Sequence, residues 1–152
     1  MPPRGWRAIQ FENLKTPALN HPLAQIQVEG LHLDLHRQLH LVGFTFGIEP
    51  TSATLGWAAK EPLLVIRSGQ ALPVSGLALH FSGVSRFEVA FESEPPGQLD
   101  YFEFLNDPEP LLRFFFEGGT VRIAGAVCRA ELVTGNDDEE EAVSTSSSGL
   151  LQ

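Results

Sequence analysis

Residues 76–91, GLALHFSGVSRFEVAF, constrain the fold of this chain more than any other stretch. Apolar side chains recur there at every second position on both sides of a Ser-Gly pair at 82 and 83. They are Leu77, Leu79, Phe81, Phe87, Val89 and Phe91. Side chains two residues apart share one face of a β-strand, whereas a helix needs apolar residues three and four apart. The pattern predicts a half-buried β-hairpin that turns at Ser82-Gly83, and with it a core built on a sheet.

The same alternation recurs in short segments along most of the chain. It indicates strands at 26–35, 39–46, 54–58, 63–67, 111–116, 120–124 and 127–133, and leaves 101–105 between a short strand and a helical turn. The glycines after Glu117 favour a second hairpin between 111–116 and 120–124, because they tolerate the positive φ of tight turns. Roughly seven to nine short strands with turns between them predict an all-β fold, a single-domain antiparallel β-sandwich or open barrel.

Two of these segments change the parity of their apolar residues part-way. In the first, Ile26 and Val28 have one parity and the leucines at 31, 33 and 35 have the other, with Gly30 between them. In the second, the change falls between Leu41 and Val42. One extra residue in a strand shifts the parity while both halves keep their apolar side chains inward. The pattern therefore predicts two β-bulges and a curled sheet.

The folded part of this 152-residue chain fits one domain of ordinary size, which we place at residues 1–133. Residues 1–25 carry four prolines and no sustained period, so they are expected to form an irregular arm that wraps the sheet. Trp6, Ile9 and Phe11 are its expected anchors. Residues 134–152 are acidic and then rich in Ser and Gly, a composition that predicts a disordered C-terminal tail because it offers little apolar surface to bury.

The net charge of −9 is concentrated in one acidic run, residues 137–141. That run holds five of the 19 acidic residues, and the remaining 14 against ten Lys and Arg leave −4. The basic residues are scattered, whereas contacts to phosphates or anionic lipids need them clustered. Nucleic acid and membrane surfaces are therefore disfavoured, and proteins or small molecules are the expected partners, with a protein favoured. The oligomeric state is left open.

Cysteine usage and the first residues indicate the compartment. Cys128 is the only cysteine, so no intramolecular disulfide can form. The start of the chain lacks the apolar run of a signal peptide, and no apolar window is long enough for a transmembrane helix. These features predict a cytoplasmic protein. Eight arginines against two lysines are typical of a high-GC bacterial coding sequence.

The sharpest candidate for chemistry is the segment GLHLDLH and the histidine that follows it. On a strand, His32, Asp34 and His36 share one face while the leucines between them enter the core. If residues 37–39 form a hairpin loop, His36 lies opposite His40. Three imidazoles and a carboxylate would suit zinc or iron. A metal-dependent enzyme or metal-binding protein is thus one hypothesis, and a solvated strand face without any cofactor is the other.

No other arrangement points to catalysis. The serines near glycine lie outside the GxSxG pattern that presents a nucleophile. The Gly118-Gly119 turn precedes a predicted strand, so it lacks the helix N-terminus that binds phosphate. Cys128 has no histidine beside it in sequence. The sequence therefore leans away from an enzyme and favours a binding protein.

The three consecutive phenylalanines at 114–116 cannot all face one core, because Phe115 has the opposite parity. Either both faces of this strand are covered, or Phe115 lies in an exposed apolar patch that marks a contact surface. The predicted partner-binding residues are Phe102, Phe104 and Phe115, together with Asp34.

The segments LALHFSGVSRFEVAFE and LRFFFEGGTVRIAGAVCRAELV resemble patterns in small, uncharacterised bacterial β-rich proteins, some of them grouped with the immunity proteins of toxin systems. The resemblance covers about 40 residues of strand and turn, without a catalytic or ligand signature. It implies a single β domain that inhibits one protein partner by surface binding, through a surface that is typically acidic when the partner is a basic nuclease toxin.

Overall fold

The computed structural model describes residues 9–15, 24–48, 51–93, 96–106 and 110–134. These residues form strands joined by turns and short loops, with no helix among them, which confirms the all-β prediction. The strands are β1 (Gln10–Glu12), β2 (Gln25–Val28), β3 (Leu31–Asp34), β4 (Leu39–Ile48), β5 (Thr51–Arg67), β6 (Gln70–Ser82), β7 (Arg86–Phe91), β8 (Leu99–Asn106), β9 (Pro110–Phe116), β10 (Gly119–Ala124) and β11 (Val127–Thr134). Trp6 and residues 135–152, including the acidic run, lie outside the described residues.

Two sheets face each other around one hydrophobic core. The five-stranded sheet has the order β1-β11-β6-β5-β4, and the four-stranded sheet has the order β7-β10-β9-β8. Neighbouring strands are antiparallel except β1, which runs parallel to β11. Trp57 of β5 packs on Phe114 and Phe116 of β9, so the inner side chains of the two sheets meet directly. The architecture is a sandwich with a separate β2-β3 hairpin.

The predicted hairpin at residues 76–91 is wrong in its pairing. Both strands exist, but β6 pairs with β5 and β11, whereas β7 pairs with β10 in the other sheet. The chain crosses from one sheet to the other at residues 83–85, where Gly83 has a φ of 62°. Alternation predicts which face of a strand is apolar but not which strand pairs with it. Two strands joined by a crossover between facing sheets therefore show the same sequence pattern as a hairpin.

The predicted bulge at Gly30 is also wrong. Val28 pairs directly with Leu31, and Glu29 and Gly30 are the two central residues of a tight hairpin turn. Both have positive φ, 52° and 81°, as the type I′ turn requires. The parity changes because the chain reverses at this point, not because one strand gains a residue.

The predicted bulge after Leu41 is confirmed. The register between β4 and β5 shifts between Leu41 and Gly43, so that Leu41 pairs with Trp57 and Phe44 with Leu55. Both pairs face the core side of the sheet. A second register shift, between Ala58 and Leu63, lets β5 run as one long strand through Pro62 where two strands were predicted. Proline is tolerated there because a bulge leaves backbone groups outside the ladder.

The C-terminal half follows the prediction closely. Strands β9 and β10 form the expected hairpin, with Phe116 paired to Gly119 across Glu117-Gly118. The ambiguous segment around residues 101–105 is a strand, β8, and the last predicted strand is β11. At the N-terminal end, Ile9 is buried and Phe11 packs against the core, as expected for anchors of the arm. Residues 10–12 of that arm form a strand beside β11.

Candidate protein-interaction surface

The histidines predicted to share one face lie on three different elements. His32 is exposed on β3, which pairs with β2, and His40 is exposed on β4, which pairs with β5. The predicted hairpin between these strands is absent, so His36 does not lie opposite His40. His36 sits in the turn at residues 35–38, where its Nδ1 lies 2.5 Å from the carbonyl oxygen of Leu99. Among the described residues, no three His, Cys, Asp or Glu side chains are placed to hold a metal ion.

Asp34 shapes the chain locally. Its Oδ1 accepts hydrogen bonds from the backbone N–H groups of His36 (2.9 Å) and Arg37 (3.1 Å). Its own N–H donates to Gln38 Oε1 at 2.8 Å. These bonds hold the turn into β4, the usual role of an aspartate at the start of a turn. His32 and Asp34 also line an open polar cleft of about 520 Å³ that Arg37 and Glu61 complete.

The predicted aromatic contact residues do not share a surface. Phe102 and Phe104 are 4% and 7% exposed and belong to the core. Phe115 lies on the outer face of β9, as its parity predicts, and is partly covered by its own neighbours. Tyr101 stacks on it with ring centroids 4.6 Å apart, and the Arg113 guanidinium lies 4.6 Å from its centroid. Arg113 in turn pairs with Glu103 at 2.6 Å.

The exposed aromatic surface lies elsewhere, along one flank of the sandwich. There β4 ends the five-stranded sheet and β7 ends the four-stranded sheet. The rings of Phe46 and Phe87 stack with centroids 5.4 Å apart. The Phe44 ring makes edge-to-face contacts with the rings of Phe87 and Phe91, with centroids 5.6 and 6.2 Å apart. We define the β4–β7 flank as five of the inward-facing apolar residues of these two edge strands: Phe44, Phe46, Ile48, Phe87 and Phe91.

This flank is apolar and open to solvent. Phe44 is 42% exposed, Phe46 48% and Ile48 74%, although their strand neighbours Leu55 and Ala53 are buried. Val42, at the bulge, is 62% exposed as well, but its side chain lies near Gly56 on the outer face of the sheet. Scattered apolar residues are ordinary on a protein surface, but a contiguous group of them marks a contact site.

The backbone at this flank is also available. No described strand pairs with the outer edge of β4, so within the described residues this edge presents a row of N–H and C=O groups without a strand partner. Residues 42–48 contain neither a charged residue nor proline, the usual protection of an exposed edge. The other edges of the two large sheets are different. Strand β1 has three residues, β7 carries Arg86 and Glu88, and β8 carries Asp100 and Glu103.

Comparison of the chain with protein-family models, curated proteins and solved structures found no match. Within the described part of the chain, no helix could cross a membrane. The geometry of the surface therefore carries the functional argument.

Sequence reasoning missed the flank because it placed Phe44, Phe46, Phe87 and Phe91 in the core by parity alone. Parity was right about the direction of these side chains. Their exposure follows from the position of β4 and β7 at the ends of their sheets, where no strand of the described residues covers them. The signal available in the sequence was the run of seven uncharged residues from Val42 to Ile48.

Proposed function

We propose that this protein is a non-enzymatic interaction protein that binds a partner protein through the β4–β7 flank. The observation that carries the proposal is the coincidence of two features: an uncharged edge strand that no described strand pairs with, and exposed phenylalanines on that strand. The partner segment is extended and apolar, and it pairs with the edge of β4 while its side chains cover Phe44 and Phe46. An immunity-type inhibitor that binds one toxin is a specific form of this function.

Two physical contributions support binding in this manner. Main-chain hydrogen bonds to an added strand provide affinity, and the pockets beside the strand select its alternate side chains. Covering the rings removes apolar area from water, at about 25 cal/mol per Å². Rigid aromatic side chains lose little conformational entropy on binding, which is why they are enriched where binding energy concentrates.

The proposal is tested by placing a photo-crosslinking phenylalanine derivative at position 46 of the full chain. Position 46 suits the probe because it already holds a half-exposed phenylalanine. We expect irradiation in the native host to join the chain to one defined protein, identified by mass spectrometry. The same probe at Phe115, on the outer face of β9, is the matched control and is expected to give no such product.

A second arm tests the edge itself. Gly47→Pro removes one backbone donor in β4, and Phe46→Glu adds a charge to the apolar row. Both are expected to abolish the crosslink from a probe at Phe44, while thermal unfolding shows that the domain still folds. Equal crosslinking from positions 46 and 115, or no crosslinking from 46, would overturn the proposed function.

A further inference from the structure

The exposed part of β4 reads the same in both directions. Residues 43–47 are Gly-Phe-Thr-Phe-Gly, centred on Thr45 and flanked by the exposed side chains of Val42 and Ile48. Antiparallel pairing of a strand with its own copy reverses the order of residues. In a twofold pairing centred on Thr45, each of residues 43–47 therefore faces a residue of the same type in the second copy.

The geometry of β4 suits such a pairing. Thr45 pairs with Thr54 and is exposed, on the outer side of the sheet, whereas Phe44 and Phe46 point to the core side. We place the twofold axis at Thr45, perpendicular to the sheet. Phe44 of each copy then lies opposite Phe46 of the other copy. This axis keeps the core-facing surfaces of both sheets on the same side of the joined sheet. The Phe44 and Phe46 rings of the two copies therefore lie next to one another.

Gly43 of β4 has open space beside it. A Cβ added at Gly43 would meet no atom within 4 Å, so the packing of this chain does not require glycine there. Gly76, in the middle of the sheet, is different, because a Cβ would collide with the backbone oxygen of Trp57. Gly43 lies at the bulge of β4, where glycine is common in a strand, and the open space beside it leaves room for a second strand.

We infer that a second copy of this chain occupies the β4–β7 flank: two β4 strands pair antiparallel across a twofold axis at Thr45 and join two five-stranded sheets into one. The inference rests on the proposed function and names its partner. It also removes the one long, uncharged edge of the described sheets, which would otherwise template open-ended aggregation.

The exposed apolar area limits the size of the interface. A whole aromatic side chain buries about 150–250 Å², so the exposed fractions of the four rings amount to roughly 300–400 Å². Val42 and Ile48 of both copies and the paired backbone add to this area. Stable interfaces bury about 1,200–2,000 Å² in total. The dimer interface is therefore expected at or below the lower end of that range, so the dimer should dissociate on dilution.

The test uses charge at the twofold axis, with sedimentation of the full chain over a wide concentration range. Thr45→Lys and Thr45→Glu each place two like charges opposite one another, and each is expected to raise the dissociation constant about fivefold. An equimolar mixture of the two variants places Lys opposite Glu and is expected to restore association. Ala71→Lys and Ala71→Glu, at an exposed position of β6 remote from the axis, are the matched controls and are expected to change nothing.

Three results would overturn the inference: a wild-type chain that stays monomeric throughout, a Lys/Glu mixture that associates no better than either variant, or Ala71 variants that weaken association equally. A monomer whose position 46 crosslinks to a different protein overturns the dimer alone and leaves the proposed function standing. If the chain is a monomer and hydrogen exchange shows that β4 is protected, its edge is covered by its own chain. That result overturns both the dimer and the proposed function.

Discussion

Phe46 and Phe87 stack almost parallel, with 9° between their ring planes and 5.4 Å between centroids, although they belong to different sheets. The pair joins the two edge strands on the same side of the sandwich. One face of the Phe46 ring rests on Phe87, and 48% of the side chain stays open to solvent. This contact therefore connects the two strands of the β4–β7 flank and leaves the other part of the Phe46 side chain exposed to solvent.

The stack predicts energetic coupling between the two strands. A double-mutant cycle with Phe46→Ala and Phe87→Ala is expected to give a coupling free energy of about 0.5–1.5 kcal/mol in urea unfolding, towards the lower value because Phe46 is half exposed. Phe46→Ala combined with Phe115→Ala, on the outer face of β9, is the control and should be additive. Full additivity of the first pair would show that the stack contributes nothing.

The core assignment predicts a large effect at Phe81. This side chain is 2% exposed and lies in the middle strand of the five-stranded sheet, so Phe81→Ala leaves a cavity and should lower the free energy of unfolding by about 3–5 kcal/mol. Leu64→Ala, where the side chain is 58% exposed, should change it by less than about 0.5 kcal/mol. Equal denaturation midpoints for the two variants would contradict the assigned core.

Glu29 and Arg67 join two hairpin turns through a two-pronged ion pair, with both N–O distances at 2.8 Å. The hydrogen bond from Arg67 holds the pKa of Glu29 below its ordinary value of 4.5. Because the folded pKa is the lower one, the stabilisation is complete above pH 4.5 and is lost as the pH falls through the folded pKa. Its size is about 0.2–1 kcal/mol, since both side chains are partly exposed.

Thermal unfolding of the wild type and Glu29→Gln measures this effect. The wild type should be the more stable protein at about pH 6. The difference should shrink as the pH falls through the lowered pKa of Glu29, because protonated Glu29 is neutral like the glutamine of the variant. High salt should reduce the difference at about pH 6. A difference that is independent of pH would mean that the substitution acts on the turn conformation and not on the ion pair.

Cys128 is expected to be inert in the folded protein. It is 1% exposed on β11, and burial raises the pKa of its thiol to about 12, so almost no thiolate exists at neutral pH. Iodoacetamide should leave the native chain unmodified and alkylate it once urea has unfolded it, as followed by mass spectrometry. Rapid alkylation of the native chain would show that β11 opens readily.

The bulge after Leu41 and the β9–β10 hairpin could be predicted because their causes are local. A parity change between Leu41 and Val42 and a glycine-containing turn after Phe116 each act on adjacent residues. The parity change at Gly30 had two local explanations, a bulge or a turn. Glu29 made the turn look less suitable, because a residue other than glycine rarely adopts the positive φ that Glu29 has in this structure.

The candidate site was harder to predict because its residues come together only through sheet order. His36 and His40 are close in sequence, but the strand that holds His40 pairs with β5, and this separates them. Phe102 and Phe104 share a parity with core residues and are covered by the facing sheet. Phe46 also has the parity of core residues, but its side chain is half exposed because β4 has no described neighbour on its outer side.

The sequence by itself determined the all-β class, the positions of most strands and the direction in which each side chain points, because alternation along a strand depends only on neighbouring residues. The tertiary structure alone decided which strands pair, that the chain changes sheets at residues 83–85, and that β4 and β7 end on the same flank. Pairing depends on contacts between residues far apart in the chain, and exposure depends on whether another strand lies alongside. Phe81 and Phe46 follow the same local rule, and only their places in the sheet make one core and the other surface.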